Sequence, residues 1–304
     1  MKSYVHRANL LFSPFKTPGD FLGDPLDASL HDYECKTEPS WVDIGWQLPT
    51  AAQMQNEVFL EWARRIKVTA PMHRKHWEWA YILEVLQQHG MLNEGKRGLG
   101  FGVGTEQLTS VIASLGATIV ATDLDLTSAR NKGWVASNQH LVRASQLNES
   151  LICDPVAFSQ RVIYRECNMN AIPDDLRQGQ FDFLWSACAF EHLGSMEQGL
   201  CFVQRAMECL RPGGIAVHTT EFNLGSNNKT LALTNTVAFR KRDIEHLAIT
   251  LLNAGHSIGK INFSGGKSTR DQVVDLPPYS ATEHLKLLYH QHLLTSIGVF
   301  ALHG

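Results

Sequence analysis

The chain has 304 residues, of which 44% are hydrophobic and 19% charged, and its formal net charge is −3 at pH 7. This composition excludes wholesale disorder, and the slightly acidic balance argues against a nucleic-acid partner, whose binding surface normally shows as an excess of Lys and Arg. No apolar run approaches the ~18 residues of a membrane span, and the six cysteines form no C-x-x-C pair. We therefore expect a cytoplasmic protein with reduced thiols and no membrane partner.

The first 49 residues combine frequent prolines with many large aromatic side chains. The prolines exclude long helices. The aromatic residues indicate a segment that packs over the core, either as a substrate lid or as simple packing; they are Phe12, Phe15, Phe21, Tyr33, Trp41 and Trp46. Two helices are predicted next, over Thr50–Ile66 and from Pro71 to His89. We divide the chain into an N-terminal extension, residues 1–70, and a main domain, residues 71–304.

A glycine-rich stretch, residues 98–106, organises the rest of the chain. It follows a short apolar strand and precedes a helix predicted over residues 107–115, and a second apolar run then leads to Asp123. Glycines at alternate positions let the backbone approach a ligand closely. An acid about twenty residues further on is the usual partner of ribose hydroxyls in a βαβ nucleotide site. The stretch therefore predicts a site for a nucleoside cofactor.

The glycine spacing selects among cofactors. The pattern from Gly100 is G-x-G-x-G, which differs from the G-x-G-x-x-G of dinucleotide sites. It resembles motif I of the class I S-adenosylmethionine (SAM) methyltransferases. The resemblance implies that Gly100, Gly102 and Gly104 approach SAM, and that Asp123 binds its ribose with Leu124 beside it. Where that family usually carries an acid, two residues before the first glycine, this chain has Gly98.

Further landmarks of the same family follow in order. A third strand ends at Asn168-Met169, where the family commonly has an acid that accepts a hydrogen bond from the adenine amino group; the Asn168 carbonyl can accept the same bond. The fourth strand carries Ser186 and Ala187 and leads to Glu191-His192-Leu193, a segment that resembles the one beside the methionine end of SAM. A turn at residues 211–214 then leads into the strand 215–221.

The remaining pattern completes an α/β fold. A helix is predicted from Leu126 to Arg143 and another from Lys241 to Leu252, with a strand over residues 257–263 and a last strand from Thr295 to Ala301. The resemblance implies a doubly wound, seven-stranded, mostly parallel sheet whose last strand is antiparallel. The long segment 264–290 is assigned to the substrate side.

Three side chains near the carboxyl ends of the strands are candidate catalytic groups. Methyl transfer to a hydroxyl group needs a base within hydrogen-bond reach. His192, His218 and Glu221 are the candidates. For His192 and Glu221 a purely structural role stays open, as scaffold around the cofactor or as a partner of backbone donors.

We expect no metal ion, because the helical pair His73 and His76 has no third ligand nearby in the sequence. The predicted function is SAM-dependent methylation of an O or N atom of a small polar acceptor, such as a sugar or glycan precursor. Two alternatives stay open: a catalytically silent SAM-binding regulatory subunit and an NAD-dependent oxidoreductase. The glycine spacing and the lack of a Tyr-x-x-x-Lys pair argue against the oxidoreductase. The oligomeric state is left open.

Overall fold

The computed structural model describes residues 25–69, 72–136, 140–141 and 143–304. Phe12, Phe15 and Phe21 of the aromatic extension lie outside the described residues, as does Pro71, the predicted start of the second helix.

The α-helices of the described residues are distributed along the chain between residues 51 and 253. They are α1 (Ala51–Met54), α2 (Glu57–Ile66), α3 (Arg74–Gln88), α4 (Leu108–Ser114), α5 (Leu126–Asn131), α6 (Pro155–Arg161), α7 (Met196–Ala206) and α8 (Lys241–Asn253).

The strands alternate with these helices through the middle of the chain and predominate at its end. They are β1 (Trp46–Gln47), β2 (Met72–His73), β3 (Arg97–Phe101), β4 (Thr118–Asp123), β5 (Val162–Glu166), β6 (Phe181–Ala187), β7 (Leu210–Asn223), β8 (Ser257–Ile258), β9 (Ile261–Asn262), β10 (Glu283–His284), β11 (Leu287–Tyr289) and β12 (His292–Leu302).

Within the described part of the chain, ten strands form one large sheet. Its order is β5-β4-β3-β6-β7-β12-β1-β9, with β11 and β8 also paired to β12. Strands β5 to β7 are mutually parallel, whereas β12 runs antiparallel to β7. The predicted α/β class, with a mostly parallel sheet and an antiparallel last strand, is confirmed; short strands from both ends of the chain enlarge the sheet beyond seven. Strand order reverses at β3, so the ligand crevice is expected at the carboxyl end of this strand.

Two predicted helices are shorter in the structure. The segment 50–66 divides into α1 and α2 because Asn56 starts a new helix, its side chain accepting a hydrogen bond from Val58 N at 2.9 Å. The helix after β4 ends at Asn131 because Gly133, at φ +82°, closes a Schellman motif: Trp134 N donates to Ala129 O and Gly133 N to Arg130 O. The chain beyond residue 133 is thereby free to form a loop.

The described part of the N-terminal extension packs against the sheet. Strand β1 pairs with β12 and β9. Trp46 is fully buried and its Nε1 donates to Phe300 O at 2.6 Å, and Trp41 Nε1 donates to Gln53 O at 2.9 Å. These indoles are part of the core, which supports simple packing for this portion. The domain boundary at residue 70 stays a prediction.

Among the described residues, no helix has the length and apolar character needed to cross a bilayer.

Candidate functional site

A cavity of about 660 Å³ opens at the carboxyl ends of the parallel strands. Loops after β3, β4, β5 and β6 form one wall, while α3, the end of β7 and the segment 264–290 contribute to the other. Nine of the twelve site residues predicted from the sequence line it: Gly102, Gly104, Asp123, Leu124, Asn168, Met169, Ala187, His192 and Glu221. Gly100, Ser186 and His218 do not.

The three glycines of the motif have two different roles in the structure. Gly102 and Gly104 adopt φ values of +57° and +50° and line the cavity. Gly100 lies inside β3, where a Cβ would sit 2.5 Å from Trp185 Cζ2 and 2.6 Å from Val103 Cγ1. Gly100 is therefore required by packing between strands, and the turn itself begins one glycine later than the spacing suggested.

Asp123 ends β4 and is only 8% exposed. Its Oδ1 accepts a hydrogen bond from Leu124 N at 2.8 Å and its Oδ2 one from Leu141 N at 3.2 Å. Burial raises the pKa of Asp123, although these backbone donors act in the opposite direction. A carboxylate has about four acceptor positions, so the side chain, which borders the cavity, can still accept hydrogen bonds from two hydroxyl groups.

His140 was not identified from the sequence, although it completes the surroundings of Asp123. Its Nε2 lies 2.7 Å from Leu124 O, and it lines the cavity. Nδ1 of this ring is buried without a hydrogen-bond partner among the described residues. No local pattern in the sequence marks this histidine, which lies beyond the end of α5 at Asn131.

Asn168 and Met169 follow β5 and line the next part of the cavity. The Asn168 Oδ1 accepts a hydrogen bond from Asn170 N at 2.9 Å, which orients the side chain and leaves a second lone pair free. Ala187, at the end of β6, also lines the cavity. Ser186 is fully buried and faces the interior of the fold.

His218 lies in the core, 1% exposed, with its Nδ1 2.8 Å from Ser186 Oγ. Burial lowers its pKa to about 3, so the ring is neutral at physiological pH. The structure thus places His218 and Ser186 together, in register on β7 and β6, and away from the cavity. Their contact is part of the packing between two strands.

His192 borders the cavity and has a defined tautomer. Its Nδ1 lies 2.7 Å from the backbone carbonyl of Asn235 and therefore carries the hydrogen, which leaves Nε2 as an acceptor in the neutral ring. Trp134 packs edge-on against the imidazole, with ring centroids 4.6 Å apart. Both residues line the cavity.

Glu221 lies in an ion-pair network that the sequence did not reveal. Its Oε1 is 2.6 Å from Arg74 Nη2 and 3.6 Å from Lys75 Nζ. Burial by itself would raise the pKa of Glu221, but the two cations outweigh it and the pKa is lowered. The carboxylate is therefore ionised and a weak base, while its Oε2 has no hydrogen-bond partner among the described residues.

The network continues into the core behind Glu221. Arg74 Nη1 donates to Ser296 Oγ at 3.0 Å and lies 3.4 Å from Glu78 Oε1, and Ser296 donates to the same carboxylate. Glu78 is fully buried. A possible signal was present in the sequence: Arg74, Lys75 and Glu78 are charged residues at the start of a helix that otherwise reads as apolar.

Glu106 is a second acidic residue in the cavity wall, directly after the glycine turn. Burial raises its pKa to about 8, against the opposing effects of Trp79 and Lys75. Trp79 is near enough to act on this carboxyl, but within the described part of the chain neither Trp79 Nε1 nor Glu106 Oε2 has a hydrogen bond of normal geometry. Glu106 lies inside the glycine-rich stretch of the sequence, but only its burial in the structure marks it as a candidate site residue.

One group in the described ranges has ligand atoms close enough to suggest a metal ion. The ligand atoms of Cys188, Glu191 and Glu221 lie within 4.8 Å of one another. Arg74 and Lys75 already pair with Glu221 and would repel a divalent cation at this point. We interpret the group as part of the ion-pair network.

The segment 264–290 contributes directly to the cavity. Tyr279, Leu287 and Tyr289 line it. Tyr279 is held by a hydrogen bond from its OH to Leu288 O at 2.8 Å. The segment is thus part of the cavity wall, and its assignment to the substrate side stays a prediction.

Residues 99–218 match the sequence model of a family described as "Methyltransferase domain". That range contains the glycine turn, Asp123, Asn168 and the segment after β6. The match covers less than half of the chain and shows that this part is similar to a methyltransferase domain. Among curated protein sequences, none matches the chain.

Solved structures of methyltransferases also resemble the chain. A phosphoethanolamine N-methyltransferase 2 from Haemonchus contortus, in complex with SAM, is 19% identical with a TM-score of 0.40; the match covers 63% of this chain and 43% of that one. A SAM-dependent methyltransferase from Aquifex aeolicus is 17% identical with a TM-score of 0.37; the match covers 73% of this chain and 89% of that one. The chain thus spans less than half the length of the Haemonchus protein.

Three buried polar atoms of the cavity wall lack a hydrogen bond of normal geometry to other described residues. They are His140 Nδ1, Trp79 Nε1 and Glu106 Oε2. Buried polar atoms without partners are costly, so a ligand that supplies the missing hydrogen bonds binds favourably.

Proposed function

We propose that the protein transfers a methyl group to a hydroxyl oxygen of a small polar acceptor, with a sugar or glycan precursor as the substrate class. SAM supplies the methyl group from its sulfonium centre. In this proposal Asp123 binds the ribose, Asn168 and Met169 border the adenine, and Gly102 and Gly104 allow close approach of the backbone. The acceptor occupies the side of the cavity bounded by His192, Glu221 and the segment 264–290.

The hydrogen bond from His192 Nδ1 to Asn235 O carries the choice of a hydroxyl acceptor. It fixes the tautomer in which Nε2 has a free lone pair, as a general base requires. A hydroxyl group must lose its proton as the new bond to carbon forms, and His192 Nε2 is placed to receive that proton. Because the Glu221 carboxylate is stabilised by two cations, its proposed role is to hold the acceptor.

The acceptor side of the cavity offers groups that match a polyhydroxyl compound. Glu221 Oε2 can accept a hydrogen bond, and Asn235 and Thr236 also line this part of the cavity. Tyr279 and Tyr289 present aromatic surface and a polar tip each. Aromatic faces beside polar groups suit a sugar ring, which has both apolar faces and an equatorial belt of hydroxyls.

The test is an assay of S-adenosylhomocysteine (SAH) production with a panel of sugars, nucleotide sugars and polyols, and a parallel panel of amines. Mass spectrometry then identifies the methylated atom. We expect turnover with at least one hydroxylated compound. Methylation of amines alone would overturn the oxygen assignment. SAH binding without turnover on either panel would favour the regulatory-subunit alternative.

The role of His192 is tested on the accepted compound by His192→Gln. We expect kcat to fall by about 10²–10⁴-fold, the usual contribution of a general base, with SAH affinity unchanged. His246→Gln, on the exposed side of α8, is the matched control and should behave as wild type. An unchanged kcat in His192→Gln would show that this ring is only scaffold.

A further inference from the structure

The wall beside the glycine turn holds buried polar atoms that the proposed contacts of the ribose and the adenine do not involve. Glu106 Oε2 and Trp79 Nε1 are both shielded from solvent and line the cavity; the two side chains interact, but neither atom has a hydrogen bond of normal geometry in the described ranges. One is an acceptor and the other a donor. A ligand group that satisfies both must itself combine a donor and an acceptor.

The position of Glu106 places this pair of atoms along the cofactor. Its carboxyl is close enough to Asp123, and to Lys75 and Glu78 of α3, to interact electrostatically with all three. Glu106 thus lies near both the carboxylate proposed to bind the ribose and the ion-pair network. The part of SAM that extends beyond the ribose is its sulfonium and amino-acid end.

The strand before the turn has no room for an acid that could do the same. A Cβ on Gly98 would collide with the Phe183 ring, and one on Gly100 with the Trp185 ring at 2.5 Å. In the stretch 98–106, Glu106 is the acidic residue. The chain therefore supplies its acidic side chain after the turn, at Glu106.

We propose that Glu106 binds the α-ammonium group of the cofactor, and that Lys75 Nζ and Trp79 Nε1 bind its α-carboxylate. The groups are complementary. The amino-acid end carries one ammonium and one carboxylate, and the wall offers the acid Glu106 and, at the start of α3, the base Lys75. This inference rests on SAM as the cofactor and is independent of the acceptor and of His192.

The proposal has a consequence for protons. In the free protein, burial raises the pKa of Glu106 to about 8. Glu78 and Asp123 contribute to this increase, and Trp79 and Lys75 oppose it. At pH 7 the carboxyl is therefore mostly protonated, to about nine parts in ten. An ammonium group beside it favours the carboxylate, so binding of the amino-acid end should release close to one proton.

Calorimetry on the wild-type protein measures this release. SAH and 5′-methylthioadenosine are both uncharged at sulfur, and only SAH has the amino-acid end. Titrations at pH 7 in phosphate and in Tris, which differ in ionisation enthalpy, give the number of protons released. We expect close to one proton for SAH and none for 5′-methylthioadenosine. Equal proton release for the two ligands would overturn the proposal.

Variants separate the two halves of the amino-acid site. Glu106→Gln should weaken SAH about ten- to a hundredfold, since hydrogen bonds to charged groups have that value, and should leave 5′-methylthioadenosine unchanged. Lys75→Gln should weaken SAH by a similar factor but leave decarboxylated SAH unchanged. The 5′-methylthioadenosine titration also shows that each variant is folded.

Asp123→Asn is the matched control, because a ribose contact is shared by all three ligands and should be weakened in each. If Glu106→Gln weakens SAH and 5′-methylthioadenosine equally, Glu106 does not read the amino-acid end. If it weakens neither, Glu106 makes no contact with the cofactor.

Discussion

The two walls of the cavity, named here for the ligands that are proposed to bind them, are built in different ways. The cofactor wall, formed by Gly102, Gly104, Asp123, Asn168 and Met169, consists of residues at the ends of three neighbouring parallel strands. Its polar side chains are oriented mainly by hydrogen bonds with backbone N–H groups close to them in the chain. Each of these residues could therefore be recognised from a short stretch of sequence.

The acceptor wall, formed by Arg74, Glu221, Tyr279 and Tyr289, consists of residues from three distant parts of the chain. Its charged side chains are oriented by one another, and the Arg74–Glu221 pair spans 147 positions of sequence. The comparison shows that the cofactor wall depends on strand order, whereas the acceptor wall also depends on charges that are buried together.

The largest effect should come from breaking the ion pairs of the acceptor wall. Arg74→Met leaves Glu221 without its closest cation and removes one of the two cations beside Glu78, and removal of one partner of a buried pair typically costs about 3–5 kcal/mol. Urea unfolding followed by tryptophan fluorescence measures the loss. Arg65→Met removes an exposed ion pair with Glu61 and should cost far less. Equal urea midpoints for Arg74→Met and Arg65→Met would show that the buried ion pairs of the acceptor wall contribute no more to stability than an exposed pair.

In the cofactor wall, the main effect should appear in affinity. Asp123→Ala removes the proposed ribose contacts, and we expect the Kd of SAH to rise about a hundredfold, or about 2.7 kcal/mol. Asp125→Asn is the control, since Asn also caps the exposed start of α5. Calorimetry gives both constants. An unchanged Kd in Asp123→Ala would show that the proposed pose of the cofactor is wrong.

Gly100 tests whether every glycine of the motif belongs to the cofactor wall. The Cβ of Gly100→Ala would overlap Trp185 and Val103, and overpacking of this kind costs about 1–3 kcal/mol. We expect a lower midpoint of urea unfolding and, in the folded fraction, an unchanged Kd for SAH. A large loss of affinity without loss of stability would return Gly100 to the cofactor site.

His218, which belongs to neither wall, should make the stability of the fold depend on pH. Its pKa is lowered to about 3 in the folded protein, so the unfolded chain binds a proton first as the pH falls below about 6.5. This histidine therefore stabilises the fold fully above that pH and loses its contribution on acidification. Between pH 7 and pH 5 we expect it to account for about 2 kcal/mol of lost stability.

The measurement is urea unfolding of wild type and of His218→Leu at both pH values. The variant should lose less stability on acidification than the wild type by that amount. Equal losses would show that His218 is not held neutral in the core.

Much of the fold followed from local patterns. Strands β4, β5 and β6 were predicted at their observed positions, because apolar runs bounded by turn residues mark buried parallel strands. The length of the helix after β4 was wrong, since the effect of Gly133 outweighed a helical periodicity that continued beyond it. The short strands β8 and β9 had been read as a single strand.

The candidate site divides in the same way. Asp123, Asn168 and His192 were found from motif spacing, and all three border the cavity. Glu106 and His140 were missed, because what distinguishes them is a buried polar atom with no partner, and burial is not a property of a short stretch of sequence. His218 illustrates the converse: its position at a strand end suggested catalysis, and the packing of β6 against β7 placed it in the core.

By itself, the sequence determined the class of fold, and it indicated the proposed cofactor and the residues proposed to bind its nucleoside, because strand ends and glycine turns are local features with a fixed place in a parallel sheet. Only the tertiary structure decided which histidine faces the cavity, which glycine packs against a tryptophan and which charges meet. Those outcomes depend on burial and on distances between residues more than a hundred positions apart, and side chains of the same type become base, core or ion-pair partner according to what packs around them.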